Sequence, residues 1–312
     1  MGKDFDFEEI SFYCRSPIFM CPDCSHAPRC GDLLNLLRIF KLEEKPPEPD
    51  YRKLFPWTRP RPAGEVDPNN KINELGSGEW LKFTRTVLTE TFPKTLGHEL
   101  RRKHPEYKSP FLLGQLLAFF TKERDMVLDP FAGTGSALVA AALMNREAVG
   151  FELFKKWIDI YYEICKAHEI PRRKLVQGDC VHLSRYLPAE SVDFILMDPP
   201  GILKPMEWLG KDVKGEQAFD LFFSMLEELF VNCRKVLRNK KYMAVFTRNL
   251  YQEGSYVYIT PHFAAAGQQA GFVLKGEKIW ENTAEKLRPY GYPHTYVPNV
   301  VHYNILIFQK NA

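Results

Sequence analysis

The sequence predicts an α/β domain on a doubly wound, mostly parallel sheet, and three observations carry that expectation. From residue 110 onward, short β-branched runs alternate with longer stretches of helical periodicity, as strands joined by crossover helices do. A glycine-rich turn, DPFAGTGS (129–136), follows the first of these runs and opens a helix. The last two runs have no helix between them, only a polar, proline-containing loop, so they are expected to pair antiparallel.

Seven strands are expected. DMVLDP (125–130), AVGFE (148–152), KLVQ (174–177) and VDFILM (192–197) are short apolar runs bounded by turn residues, the pattern of strands buried on both faces. YMAVFT (242–247), GFVLKGEKIW (271–280) and VVHYNILIF (300–308) complete the set. Between them SALVAAALMN (136–145), FKKWIDIYYEICKAHE (154–169), residues 217–238 and FAAAGQQA (263–270) have the length and spacing of helices. A sheet of this order is Rossmann-like and takes its ligand at the carboxyl ends of its strands.

The N-terminal quarter has a different composition. Pro46, Pro47, Pro49, Pro56, Pro60, Pro62 and Pro68 each remove a backbone donor and disfavour helix before them. Residues 42–74 are therefore expected to form an extended connector, leaving 75–312 as the α/β domain. Residues 1–41 hold Cys14, Cys21, Cys24 and Cys30 and one helix candidate, GDLLNLLRIFKL, with Asp32 at its start as a cap. So small a unit requires a metal, a disulfide or a neighbour to fold.

With 45% hydrophobic and 26% charged residues the chain is not disordered throughout. No run reaches the ~18 to 20 apolar residues of a membrane-spanning helix, and MGKDFDFEEI is acidic where a signal peptide is basic. A cytoplasmic protein without membrane contact is the expectation, and a reducing compartment favours metal over disulfides for the cysteines. The net charge of +3 is too small to announce a nucleic-acid partner, so any basic face is local.

Asp129, Gly133 and Gly135 belong to a turn that matches neither the phosphate-loop nor the dinucleotide pattern. Alone, it also reads as a structural turn. Glu152 ends the second strand and Asp179 follows the third, which places both carboxylates on the same sheet edge. One is placed to accept ribose hydroxyls, the other an adenine amino group; singly, each also reads as a solvated turn residue or a cap. The fourth strand ends in Asp198-Pro199-Pro200-Gly201. Its stiff loop offers the Asp198 carboxylate and the Pro199 carbonyl as two fixed acceptors, which suit one exocyclic amino group about to attack an electrophilic methyl.

Taken together, these motifs resemble the S-adenosylmethionine-dependent amino-methyltransferases of DNA, which modify adenine N6 or cytosine N4. The resemblance covers about residues 75–309 and includes HPEYKSPFLLGQLLAFF (104–120), VGFEL and the closing VVHYNILIFQK. It implies a seven-stranded methyltransferase sheet in which Lys108, Ser109 and Pro110 close over the cofactor. Asp129, Phe131, Ala132, Gly133, Thr134 and Gly135 would hold its methionine end, Glu152 and Leu153 its ribose, and Asp179 and Cys180 its adenine. Asp198, Pro199 and Pro200 would be catalytic. Double-stranded DNA is the implied partner, with a cognate restriction endonuclease possible. Asp198 at the first catalytic position fits adenine N6 better than cytosine N4. An RNA amino-methyltransferase or a catalytically inactive nucleic-acid-binding homologue are the other readings.

Two features depart from that family. Gly201 stands where an aromatic ring usually stacks the flipped base, so stacking is expected from Phe131, Trp208 or an N-terminal aromatic. No long insert is left to recognise DNA, which assigns recognition to residues 1 to about 100 and to the loops 201–216 and 281–299.

The cysteine spacing C-x6-C-x2-C-x5-C resembles the [4Fe-4S] loop of endonuclease III-type DNA glycosylases over these 17 residues alone. Structural zinc, with His26 able to replace one thiolate, is the competing reading, and unligated cysteines a third. Arg15 and Arg29 flank the cysteines, Arg59 and Arg61 accompany Trp57, and Arg101, Arg102 and Lys103 precede the cofactor-closing segment. All are expected to contact DNA phosphates, against the plainer reading of a solvated charged surface.

Overall fold

The computed structural model describes residues 55–59, 61–62, 64–201, 216–252 and 254–311. The chain divides into two units, 1–50 and 51–312, and every described residue belongs to the second. The four cysteines and, of the expected connector, residues 42–54, Pro60 and Ala63 lie outside the described residues.

From Phe55 the chain is packed rather than free. Phe55 is 1% exposed and stacks on Phe111 with ring centroids 4.8 Å apart, against Gly114, whose missing side chain leaves room for it. Prolines prevent helix in this stretch but do not prevent such burial. Arg61 is ion-paired with Glu79, and Arg59 with Glu65.

The helix α1 (Ser77–Phe83), the two-residue strand β1 (Val87–Leu88) and the single turn α2 (His98–Arg101) lead to α3 (Pro110–Phe120). Helix α3 starts where a start is favoured. The Ser109 hydroxyl accepts the Phe111 N–H at 3.3 Å, and Pro110 occupies the first turn, where a missing N–H is harmless. Next come β2 (Met126–Asp129), α4 (Ser136–Leu143), β3 (Glu147–Glu152), α5 (Lys155–Ala167), β4 (Lys174–Gln177) and β5 (Val192–Met197). After the undescribed loop 202–215 follow α6 (Glu216–Val236), β6 (Leu237–Thr247), the hairpin strands β7 (Leu250–Gln252) and β8 (Ser255–Val257), α7 (Thr260–Gln269), β9 (Phe272–Glu281) and β10 (His302–Lys310).

The main sheet has the order β1-β9-β10-β6-β5-β2-β3-β4. It holds eight strands, not the seven expected, because β1 adds an edge parallel to β9 through Val87 and Leu88. Two residues are too few to show a period of two, so β1 left no trace in the pattern. All seven expected strands are present. The last two pair antiparallel as expected, with β10 inserted between β9 and β6 and antiparallel to both.

Strand β5 shows how the sheet is sealed on both faces. Phe194 and Leu196 enter one core with Phe120 of α3, while Ile195 and Met197 enter the other with Phe222, Leu226 and Phe230 of α6. Full burial of such side chains stabilises by about 1.5 to 3 kcal/mol each. Strand order reverses at β2, with β3 and β4 to one side and β5 and β6 to the other. Asp129 at the end of β2 and Asp198 just after β5 thus stand at neighbouring strand ends, where an open α/β sheet forms its ligand crevice.

Candidate active site

The turn after β2 is held by its own acids. The Asp129 carboxylate accepts the Phe131 N–H at 3.0 Å, and the Glu152 carboxylate accepts the N–H groups of Gly133 at 2.9 Å and Phe154 at 2.8 Å. Gly135 opens α4 at φ +74°, and a Cβ there would stand 2.2 Å from the Tyr161 ring, so only glycine fits. Asp179 accepts the Val181 N–H at 2.9 Å and caps the 3-10 turn Cys180–Arg185. Burial lifts the carboxyls of Asp129 and Glu152 above the usual range, Asp129 to about 8.

These groups line one cavity, which Asp129, the 131–134 turn, Glu152, Leu153, Asp179 and Cys180 share with Asp198. Of the residues expected to face a cofactor, Gly135, Ser109 and Pro110 do not line it: Gly135 shapes the turn, and the other two start α3.

Arg101 corrects the expectation of a phosphate contact. Its side chain is fully buried, and its guanidinium donates to the Leu96 carbonyl at 2.9 Å, the Thr134 carbonyl at 3.0 Å and the Ser136 hydroxyl at 2.8 Å. It clamps the glycine turn from beneath. Burial lowers its pKa to about 10, so it stays charged near neutrality. Replacing it with Met would orphan those acceptors and is expected to destabilise the fold by roughly 2 to 4 kcal/mol in urea unfolding. Phosphate-contact arginines would instead give variants of parental stability.

The other basic candidates divide. Arg61 is tied to Glu79 and Glu65, with its side chain only 11% exposed, and Arg59 to Glu65; these internal ion pairs occupy charges expected to meet DNA. Arg102 is exposed beside Glu99 at 3.1 Å, and Lys103 is exposed. Arg15, Arg29, Trp208 and the four cysteines lie outside the described residues. Among the described residues no group of three or more His, Cys, Asp or Glu is arranged to hold a metal ion, and no helix is long and apolar enough to cross a membrane.

A second cavity opens on the other side of Asp198. It shares Glu106, Lys108, Asp198 and Pro200 with the first and continues past Arg248 and Tyr303. Lys108, expected to close over a cofactor, is bonded to Asp198 at 3.0 Å with its side chain 2% exposed. Burial works against the lysine charge, but Asp198, with Tyr303 and Glu106 adding to it, outweighs burial and holds Lys108 above its ordinary value. Burial raises the Asp198 carboxyl, and Lys108 pulls it back. The ammonium also lies 4.1 Å from the centre of the Tyr303 ring, which stacks on Trp280 at 5.4 Å. Sequence reasoning had no signal for this pair, because the two residues are far apart in the chain. Phe131, expected as a stacking ring, lines the first cavity only.

Residues 41–163 match the family model described as DNA methylase. Among curated proteins, the type II methyltransferase M2.DpnII of Streptococcus pneumoniae is 34% identical over 90 residues, which are 28% of this chain and 32% of that one. MJ1653 of Methanocaldococcus jannaschii, a protein named for methyl transfer to large-subunit ribosomal RNA, is 30% identical over 119 residues, 36% of this chain and 31% of its own. The chain thus spans about a third of the length of these relatives. Among solved structures, TrmN from Thermus thermophilus has a TM-score of 0.46 and 20% identity, covering 69% of this chain and 53% of that one. The match to the DNA methylase family model covers the stretch that carries the glycine turn and Glu152 and ends before Asp198.

Proposed function

We propose that the chain is an S-adenosylmethionine-dependent amino-methyltransferase of DNA, with adenine N6 as its leading target and cytosine N4 the next. The observation that carries this reading is the meeting of two cavities at Asp198-Pro199-Pro200, one lined by carboxylates around a glycine turn and the other by aromatic and cationic groups.

The first cavity fits the cofactor by the chemistry of its donor set. Burial holds the proton on the Asp129 carboxyl, with the charges of Asp198 and Glu152 adding to it, and among the described residues no cation is paired with it. A ligand carrying an ammonium and a sulfonium would supply that charge. Glu152 and Asp179 use only part of their acceptor capacity on backbone N–H groups, and the remaining lone pairs suit ribose hydroxyls and an adenine amino group. Bound there, S-adenosylmethionine would supply an electrophilic methyl group.

The chain's own residues do the rest. The Asp198 carboxylate and the Pro199 carbonyl accept the two hydrogens of the target amino group, which draws its nitrogen lone pair out of conjugation. Burial raises the Asp198 carboxyl, and Lys108, paired with it at 3.0 Å, offsets part of that rise and fixes its direction. The amino proton that must leave is then adjacent to a carboxylate able to take it.

Relatives named as type II methyltransferases support DNA as the substrate. The relative named for ribosomal RNA supports an RNA reading as the alternative. Transfer of labelled methyl to genomic DNA against total RNA separates the two. Glu152→Ala and Asp179→Ala are each expected to weaken cofactor binding roughly 10- to 100-fold, as loss of a charge-assisted hydrogen bond does; parental affinity in both would refute the first cavity as the cofactor site. For the N-terminal cysteines, the spacing alone supports a [4Fe-4S] or zinc loop. Iron with acid-labile sulfide, zinc, or neither in the purified chain decides it.

Asp129 adds a pH dependence. Because Asp129 in the protein alone is protonated up to about pH 8, a cationic ligand that favours its ionised form must expel that proton. Binding below pH 8 should therefore release a proton, and affinity should rise with pH until about 8 and then level off. Calorimetry in two buffers of different ionisation enthalpy measures the release, and none at pH 7 would remove Asp129 from the cation site.

A further inference from the structure

Gly201 brings no ring to the Asp198-Pro199-Pro200 motif, and among the described residues the second cavity supplies rings on which a target base could stack. Its aromatic lining among the described residues is Phe246, Phe263, Tyr251, Tyr290 and Tyr303. Phe246 and Phe263 are buried at 1% and 3% exposure and belong to the two cores. Tyr303 has Trp280 stacked on it and the cations of Lys108 and Arg248 at 4.1 and 5.2 Å from its ring centre. The Tyr251 hydroxyl is tied to the Gly254 carbonyl at the tip of the hairpin. Tyr290 is 52% exposed and, among the described residues, stacks on no other ring.

The segment between β9 and β10 holds Tyr290 in place. The Asn299 carboxamide accepts the Arg288 N–H and donates to the Arg288 carbonyl, both at 2.9 Å, which closes the loop like a rung. Within it the Tyr290 N–H donates to the Arg288 carbonyl at 2.8 Å, and the Gly291 carbonyl accepts the N–H groups of His294 and Thr295, each at 2.8 Å. Gly291 sits at φ +73°, and a Cβ there would lie 2.3 Å from the Thr295 carbonyl oxygen, so the turn demands glycine. At the base of the loop Arg248 donates to the Val300 carbonyl and stands 3.7 Å from Glu285. A ring carried by so many fixed bonds, open on the cavity that ends at Asp198, meets a planar ligand without first having to be ordered.

We infer that Tyr290 is the stacking platform for the target base, a role that rests on the amino-methyltransferase reading and replaces the aromatic ring absent at Gly201. Base–aromatic stacking needs a π-face near the amino acceptor, not one particular chain position. With the base seated on Tyr290, its exocyclic amine is presented to Asp198 and Pro199 from the second cavity.

Two readouts test this in the intact chain: fluorescence quenching of 2-aminopurine riboside, which reports stacking without any methyl transfer, and labelled methyl transfer to genomic DNA. Tyr290→Ala is expected to abolish the quenching and to lower kcat/KM for DNA roughly 10- to 100-fold, with cofactor affinity unchanged. Tyr290→Phe should restore both. Tyr258→Ala, which alters a 61% exposed ring outside both cavities, should match the parent. If Tyr290→Ala quenches and methylates like the parent, Tyr290 is not the platform, while the proposed activity stands. If the parent neither quenches nor transfers methyl, the activity itself is refuted and the platform with it.

Discussion

Asp198→Ala is expected to lower the rate of methyl transfer by roughly a thousandfold or more while S-adenosylmethionine binds as it does to the parent. In the proposed reaction this carboxylate holds the target amino group as its lone pair turns toward the methyl, an interaction far stronger in the transition state than in the ground state. Its removal therefore appears in kcat rather than in cofactor affinity. Single-turnover transfer and cofactor titration on the same preparation separate the two. Asp198→Asn keeps an acceptor of the same shape without the charge and should fall between. Transfer at near-parental rate in Asp198→Ala would show that polarisation by this side chain is not the source of the rate.

Lys108→Met is expected to have the largest effect on stability. Breaking a buried ion pair from one side strands the other charge, which typically costs about 3 to 5 kcal/mol, and here the stranded group is Asp198 with Glu106 adding to the rise of its pKa. The direction with pH follows from that. Lys108 pulls the Asp198 carboxyl down against burial, so without it the carboxyl takes its proton at higher pH, and the acidic limb of the transfer rate should move upward. Lys108→Met combined with Asp198→Asn removes both charges and should regain most of the stability but none of the activity. Urea unfolding and a pH–rate profile measure both effects. An unmoved acidic limb would confine Lys108 to a structural role.

The parts of the fold legible in the sequence were those with their own local signal. VDFILM is a strand between turn residues whatever surrounds it, and Asp129, Glu152 and Asp179 could be placed on one edge because parallel strands all end there. The two residues of β1 carry no pattern, and their pairing with β9 exists only in the folded chain. Arg101 was misplaced because a run of cations reads as surface, whereas its burial is set by the carbonyls of Leu96 and Thr134 around it. The Lys108–Asp198 pair and the ring of Tyr290 belong to the same class: long-range placements that no local spacing announces. Gly201 was the one hint, since a missing ring at a known position says that another must exist without saying where.

The most direct test of the central claim is nucleoside analysis. Purified chain is incubated with unmodified genomic DNA and S-adenosylmethionine, the DNA is digested, and the products are resolved by mass spectrometry alongside those from Asp198→Ala. The two-cavity site predicts N6-methyldeoxyadenosine with the parent and none with the variant; N4-methyldeoxycytidine would keep the site and change the base. DNA without any methylated amino group after incubation with the parent would contradict the account.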